Sequence, residues 1–175
     1  MNYRTLGKTG WKISDISLGT WQVGGKWGTP FDENLAESIL HNAIDEGINF
    51  IDTADVYSGG ESERAIGQLV RSRSERIYVA TKSGRRLNPH HAEGYTSENI
   101  TKFIENSLSN MGLEAIDLIQ LHCPPTEVYA QEALFETLEG LVDQGKILQY
   151  GVSDEKVEAA LHANQNPSLA SVQII

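Results

Sequence analysis

A parallel α/β fold is what this sequence predicts, and three observations predict it. Short apolar segments alternate with amphipathic ones along the whole chain. Successive apolar segments recur about every 25–40 residues, the spacing of strands joined by right-handed helical crossovers. Several of these segments are apolar along their length, as strands of a covered parallel sheet are, rather than alternating.

The elements follow in order. A hairpin is expected over Tyr3 to Ile13, turning near Gly7 to Gly10. Strands are expected at Asp15 to Gly19, Ile48 to Asp52, Ile77 to Thr81, Ile116 to Leu121, Ile147 to Val152 and Ser171 to Ile175. Between the first two, Leu35, Ile39, Leu40, Ala43 and Ile44 recur at helical spacing and stop at Gly47. A shorter helix is expected over Ser62 to Val70. Ile100, Phe103, Ile104, Leu108 and Met111 form the next stripe, closed by Gly112, and Leu134, Leu138, Leu141 and Val142 form another before Gly145. A glycine just past the last apolar position is a common helix stop. Glu155 to His162 is a weaker fifth helix. Such a sheet is either doubly wound or a barrel, and periodicity alone does not decide. No G-x-G-x-x-G turn follows the first strand, since Gly24-Gly25 comes later and lacks the third glycine, so the barrel is preferred.

Composition narrows the class. The 175 residues are 39% hydrophobic and 22% charged, ordinary for one globular domain. A net charge of −10, from 14 Lys and Arg against 24 Asp and Glu, argues against nucleic acid or an anionic membrane surface as partner. Cys123 is the only cysteine, which excludes an intrachain disulfide and points to a reducing, cytoplasmic setting. The opening residues MNYRTLGKTGWKIS interrupt any apolar run a signal peptide would need. No stretch approaches the roughly 18 apolar residues of a membrane span.

Polar residues then gather at one edge of the expected scaffold. Thr20 and Trp21 follow the first strand, Asp52 ends the second, and Lys82, His122 and Ser153 follow the third, fourth and fifth. In a (β/α)8 barrel the C-terminal strand ends form the active-site face.

The segments carrying these residues are distinctive. INFIDTADVYSGGESERAIG (48–67), VATKSG (79–84), DLIQLHCP (117–124), GLVDQGKILQYGVS (140–153) and SVQ (171–173) resemble, in order, the signature blocks of the aldo-keto reductases. The resemblance runs through essentially the whole chain. It implies a (β/α)8 TIM barrel with an N-terminal hairpin, of which this chain covers strands one to six as a single incomplete domain. It also implies an NAD(P)H-dependent oxidoreductase that reduces an aldehyde or ketone to an alcohol. Asp52, Tyr57, Lys82 and His122 match the family's catalytic tetrad. Hydride arriving at a carbonyl carbon leaves negative charge on oxygen, which must be stabilised and protonated. Tyr57 is the expected acid. An adjacent Lys82 is expected to lower its pKa, Asp52 to orient Lys82, and His122 to hold the substrate oxygen. Taken singly, each has a plainer reading: a capping Asp, a loop Tyr, a solvated Lys, a rim His.

Cofactor contacts carry over less evenly. Ser153 and Gln173 match positions that hold the nicotinamide carboxamide in the family, and Thr20 stands at the first strand end. Asp154 replaces the family's usual asparagine; as a carboxylate it only accepts hydrogen bonds, and it would equally cap a helix starting at Glu155. Trp21 and Trp27 flank the Gly24-Gly25 loop, and Trp21 is the expected pocket wall. NADPH is the family expectation, with NADH open. His90-His91 lacks a third ligand at metal spacing, Arg85-Arg86 reads as a solvated pair beside the site, and Cys123 as a small buried filler.

A complete barrel has eight strands in about 250 residues, and six are present. Two further readings follow: a cofactor-binding regulatory protein of the same fold with little turnover, or an inactive fragment of a longer reductase. If the polypeptide ended at Ile175, its open sheet edges would template self-association.

Overall fold

The computed structural model describes residues 1–26 and 28–174, so the expectations at Trp27 and Ile175 lie outside the described residues. β1 (Tyr3–Thr5) and β2 (Lys12–Ser14) form the expected antiparallel hairpin, with Tyr3 opposite Ser14. The remaining strands make one six-stranded parallel sheet in sequence order: β3 (Leu18–Gly19), β4 (Phe50–Asp52), β5 (Tyr78–Ser83), β6 (Ile116–His122), β7 (Ile147–Asp154) and β8 (Ser171–Ile174). Strand order equal to chain order excludes the reversal of a doubly wound sheet. Asp15 to Ser17 and Ile48-Asn49, expected as strand, lie outside the ladder. β5, β6 and β7 instead run further than expected and take in Lys82, His122, Ser153 and Asp154.

The helices cover one face. α1 (Glu33–Asp45) is capped by Asp32, whose side chain accepts a hydrogen bond from Leu35 N. Its buried residues are Ala36, Leu40 and Ile44, one row at spacing four. Leu35, expected in the stripe, is exposed, because Ala36 takes its place against the sheet. α2 (Glu61–Ser72) and α3 (Ser97–Met111) approach closely at Gly67, where a Cβ would sit 1.9 Å from the Met111 carbonyl oxygen. α3 stops at Gly112, left-handed at φ 60, whose N–H caps the Leu108 and Ser109 carbonyls. α4 (Glu132–Asp143) buries Leu134, Phe135, Leu138 and Leu141. α5 (Val157–Ala163) starts two residues later than expected, with Lys156 at its cap.

Register separates the two faces of the sheet. Ile51, Val79, Ile119, Leu121, Tyr150 and Val152 join the helices in one large core. Their alternate neighbours, Phe50, Ala80 and Leu118, form a second cluster with Leu6, Trp11 and Ile13 of the hairpin. The hairpin thus covers the other face of the sheet at the N-terminal ends of the strands, and Trp11 stacks on Tyr78 with ring centroids 5.1 Å apart. The C-terminal ends of that face are left to polar residues.

Candidate active site

Ladder register builds the site. Gly19 pairs Asp52, Lys82 pairs Gln120, His122 pairs Ser153 and Ser153 pairs Gln173. These positions share the face of Ala80 and Leu118, because side chains two apart on a strand point the same way. The sequence places Asp52, Lys82, His122 and Ser153 at or just past strand ends and Gln173 within the last strand, and the structure gathers them on one side of the sheet.

Lys82 is the centre. Its side chain is 2% exposed, and its Nζ donates to Asp52 Oδ1 at 2.6 Å and to the Thr53 carbonyl at 2.9 Å. An ammonium this deeply buried is tolerable only with such partners. Tyr57 opens a short 3-10 turn, Tyr57–Gly60, between β4 and α2. Its ring centroid is 5.5 Å from Lys82 Nζ and 6.2 Å from the His122 ring, which meets it edge-on.

Electrostatics depart from expectation at the tyrosine. Burial, then the Asp52 carboxylate, push the Tyr57 hydroxyl up to about 12 rather than down. The net shift is upward, against the lowering expected from Lys82. Tyr57 therefore keeps its proton throughout the neutral range. Burial, and secondarily the Lys82 charge, push His122 down to about 4, so its imidazole is neutral at pH 7.

Four buried polar atoms on this face have no hydrogen-bond partner among the described residues: Gln120 Oε1, His122 Nδ1, Ser153 Oγ and Gln173 Oε1. Buried polar groups are nearly always paired, so such a row calls for a polar occupant. A carboxamide fits it chemically, its NH2 donating to Gln173 Oε1 and its carbonyl accepting from the Ser153 hydroxyl.

Other expected contacts are engaged elsewhere. Thr20 is buried, its hydroxyl donating to the Asp52 carbonyl and accepting from Ser62 Oγ. Asp154 neither caps α5 nor shares the face of Ser153. Both of its oxygens accept from Tyr129 OH at 2.8 Å. Trp21 is more than half exposed and borders a cavity of about 700 Å³ shared with the Gly24-Gly25 loop, Val56 and Ser58. His90 Nε2 pairs with Tyr95 OH at 2.7 Å. Cys123 is half-buried, with φ 48. Arg86 is not simply solvated, since it reaches the buried Asp55. Sequence reasoning missed Glu63, a fully buried acid that accepts from Thr81 Oγ1 and Asn110 Nδ2. No helix among the described residues is long and apolar enough to cross a membrane.

The sequence model of the aldo/keto reductase family matches residues 15–175. The aldo-keto reductase YhdN of Bacillus subtilis (strain 168) is 34% identical over 180 residues, covering 95% of this chain and 54% of its own length. An aldo-keto reductase of Bacillus halodurans in its holo form superposes with a TM-score of 0.85 at 28% identity, over 99% of this chain and 57% of the other. A Klebsiella pneumoniae aldo/keto reductase solved with NADP and acetate gives 0.74 at 26% identity, over 93% of this chain and 53% of the other. The chain spans about half the length of the curated relatives it matches.

Proposed function

Because the chain belongs to the aldo/keto reductase family, we propose that it is the front of an NADPH-dependent oxidoreductase that reduces an aldehyde or ketone to an alcohol. Its six-stranded sheet is then the larger part of an eight-stranded barrel, with strands seven and eight and the adenosine end of the cofactor site supplied by further chain. The observation that carries the reading is the buried Lys82–Asp52 pair with Tyr57 and His122 packed around it.

Nicotinamide, when bound, supplies the hydride. Ser153 and Gln173 hold its carboxamide, and their unpartnered buried oxygens support that role. Thr20 stiffens the first strand end through Asp52 and Ser62 instead of touching the cofactor. Asp154 fixes the turn bearing Tyr129, although its position invites a cofactor contact.

His122, neutral, donates to the substrate oxygen without adding a charge that would repel Lys82. Tyr57 gives its proton to that oxygen as negative charge develops. Even at about 12 the phenol is a stronger acid than the alcohol formed, so the transfer runs downhill. Lys82 then stabilises the resulting phenolate, and Asp52 keeps the ammonium in place. Trp21 lines the entrance to the substrate pocket.

The test uses the full-length protein with NADPH and a panel of aldehydes and ketones, following cofactor oxidation and alcohol formation. Equimolar consumption and production is the expected result. Tight NADPH binding without alcohol would replace the reading with that of a cofactor-binding regulator. Absence of both would sink it.

A further inference from the structure

One buried acid has no part in the chemistry above. Asp55 is 2% exposed, and neither carboxylate oxygen has a hydrogen-bond partner among the described residues. Glu63, equally buried, has both its oxygens bonded. The cation facing Asp55 is Arg86, from the segment after β5, with Nε 3.4 Å from Oδ2. Among the described residues, Glu63 from α2 and Tyr95 from the segment before α3 also interact with its charge.

Arg86 grips the same residue a second time, its Nη2 donating to the Asp55 carbonyl. The Asp55 N–H in turn donates to the Lys82 carbonyl at 3.1 Å. Residue 55 is thus tied at three points to residues 82–86, two positions before Tyr57. The turn beyond needs such restraint, for Ser58 and Gly59 both sit in the left-handed region, at φ 48 and 66. A non-glycine residue there persists only when its surroundings hold it.

For stability alone, this carboxylate is a poor choice. An amide of the same size would fill the space without a buried charge. We propose that Asp55 and Arg86 are a positioning pair, holding the Tyr57 turn against the end of β5 so that the phenol faces the substrate oxygen. The proposal rests on Tyr57 being the acid, as argued above.

Two pH effects follow, because burial pushes Asp55 up to about 7. Below that pH the acid is neutral and its ion pair with the Arg86 Nε is lost, so turnover falls as pH drops through about 7. Stability moves the other way. Between about pH 4 and 7 the folded chain carries a proton that the unfolded chain has lost, so this group's contribution declines as pH rises through that window.

The experiment is a set of Asp55→Asn, Tyr57→Phe and the double variant in the full-length protein. Turnover, NADPH affinity and thermal midpoint are read from pH 5 to 9. Asp55→Asn is expected to lose about 10–100-fold in kcat above pH 7 and the turnover limb near 7. Its NADPH affinity is expected to stay within about twofold, and its midpoint above pH 7 to match or exceed wild type. Arg86→Met should reproduce the kcat loss and Arg86→Lys recover part of it. In the Tyr57→Phe background the Asp55 effect should vanish, because its target is gone. Full turnover in Asp55→Asn, or an equal loss in both backgrounds, overturns the positioning role. Retained turnover in Tyr57→Phe overturns the acid assignment instead, so the two failures are separable.

Discussion

Phe50 and Asp52 stand two residues apart on β4 and face the same side of the sheet, yet their surroundings are opposite. Phe50 joins Ala80 and Leu118 beneath the hairpin, in contact with Leu6, Trp11 and Ile13. Asp52 faces Lys82, with His122, Ser153 and Gln173 along the neighbouring strands. One end of the face is apolar and covered by the chain itself. The other holds an ion pair and a row of buried polar atoms without partners. The first arrangement stabilises the fold by removing apolar area from water. The second weakens it, since each unsatisfied buried group costs about 1–3 kcal/mol. Polar groups that oppose folding, aligned along one edge, are best explained by what binds there.

The two ends of this face differ most sharply at Lys82. Lys82→Met leaves Asp52 beside an apolar stem, and breaking a buried pair from one side costs about 3–5 kcal/mol. Activity should disappear as well, because the phenolate loses its cation. Combining Asp52→Asn with Lys82→Met should recover part of the stability and none of the activity. Strict additivity in a denaturant-unfolding cycle would show that the two residues are not coupled.

The apolar end should give the reverse pattern. Leu118→Ala is expected to lose about 2–5 kcal/mol of stability through the cavity it opens. In the protein that remains folded, kcat should stay near wild type. A large drop in kcat at unchanged stability would mean the two ends are not separate regimes.

The smallest effect is a slope. His122 is pushed down to about 4 by burial, below its unfolded value near 6.5. Between those values the unfolded chain holds a proton that the folded chain does not, so stability is lost as pH falls through that window. His122→Gln should remove this component, seen as a flatter acid limb in thermal midpoints. An unchanged limb would mean that His122 titrates normally in the folded state.

Much of this contrast was legible in the chain. Alternation of apolar segments gave six strands in the correct order, because each is fixed by local pattern and by a helix of regular length. Asp52, Tyr57, Lys82 and His122 were legible as candidates because they lie in distinctive segments, and the structure brings the four together. Boundaries were less so. Lys82, His122 and Ser153 read as loop residues by their polarity, yet the ladder continues through them, since backbone pairing does not depend on which side chain faces the site. Tyr57 was expected to be lowered by Lys82. The opposite shift arises chiefly from burial, which exists only once the sheet and helices have packed, and from Asp52, five residues back along the chain. Arg86 was read as solvated and Asp55 escaped notice, because nothing local marks an exposed-looking arginine as the partner of a buried acid.

Acid-assisted carbonyl reduction at the polar end of the sheet stands or falls with Tyr57→Phe in the full-length protein. Only a phenolic proton is removed. Single-turnover oxidation of bound NADPH by a reactive aldehyde should slow by about 10²–10⁴-fold. Cofactor affinity and thermal midpoint, measured on the same samples, should match wild type. A variant that keeps more than half of the wild-type rate at neutral pH would contradict the account.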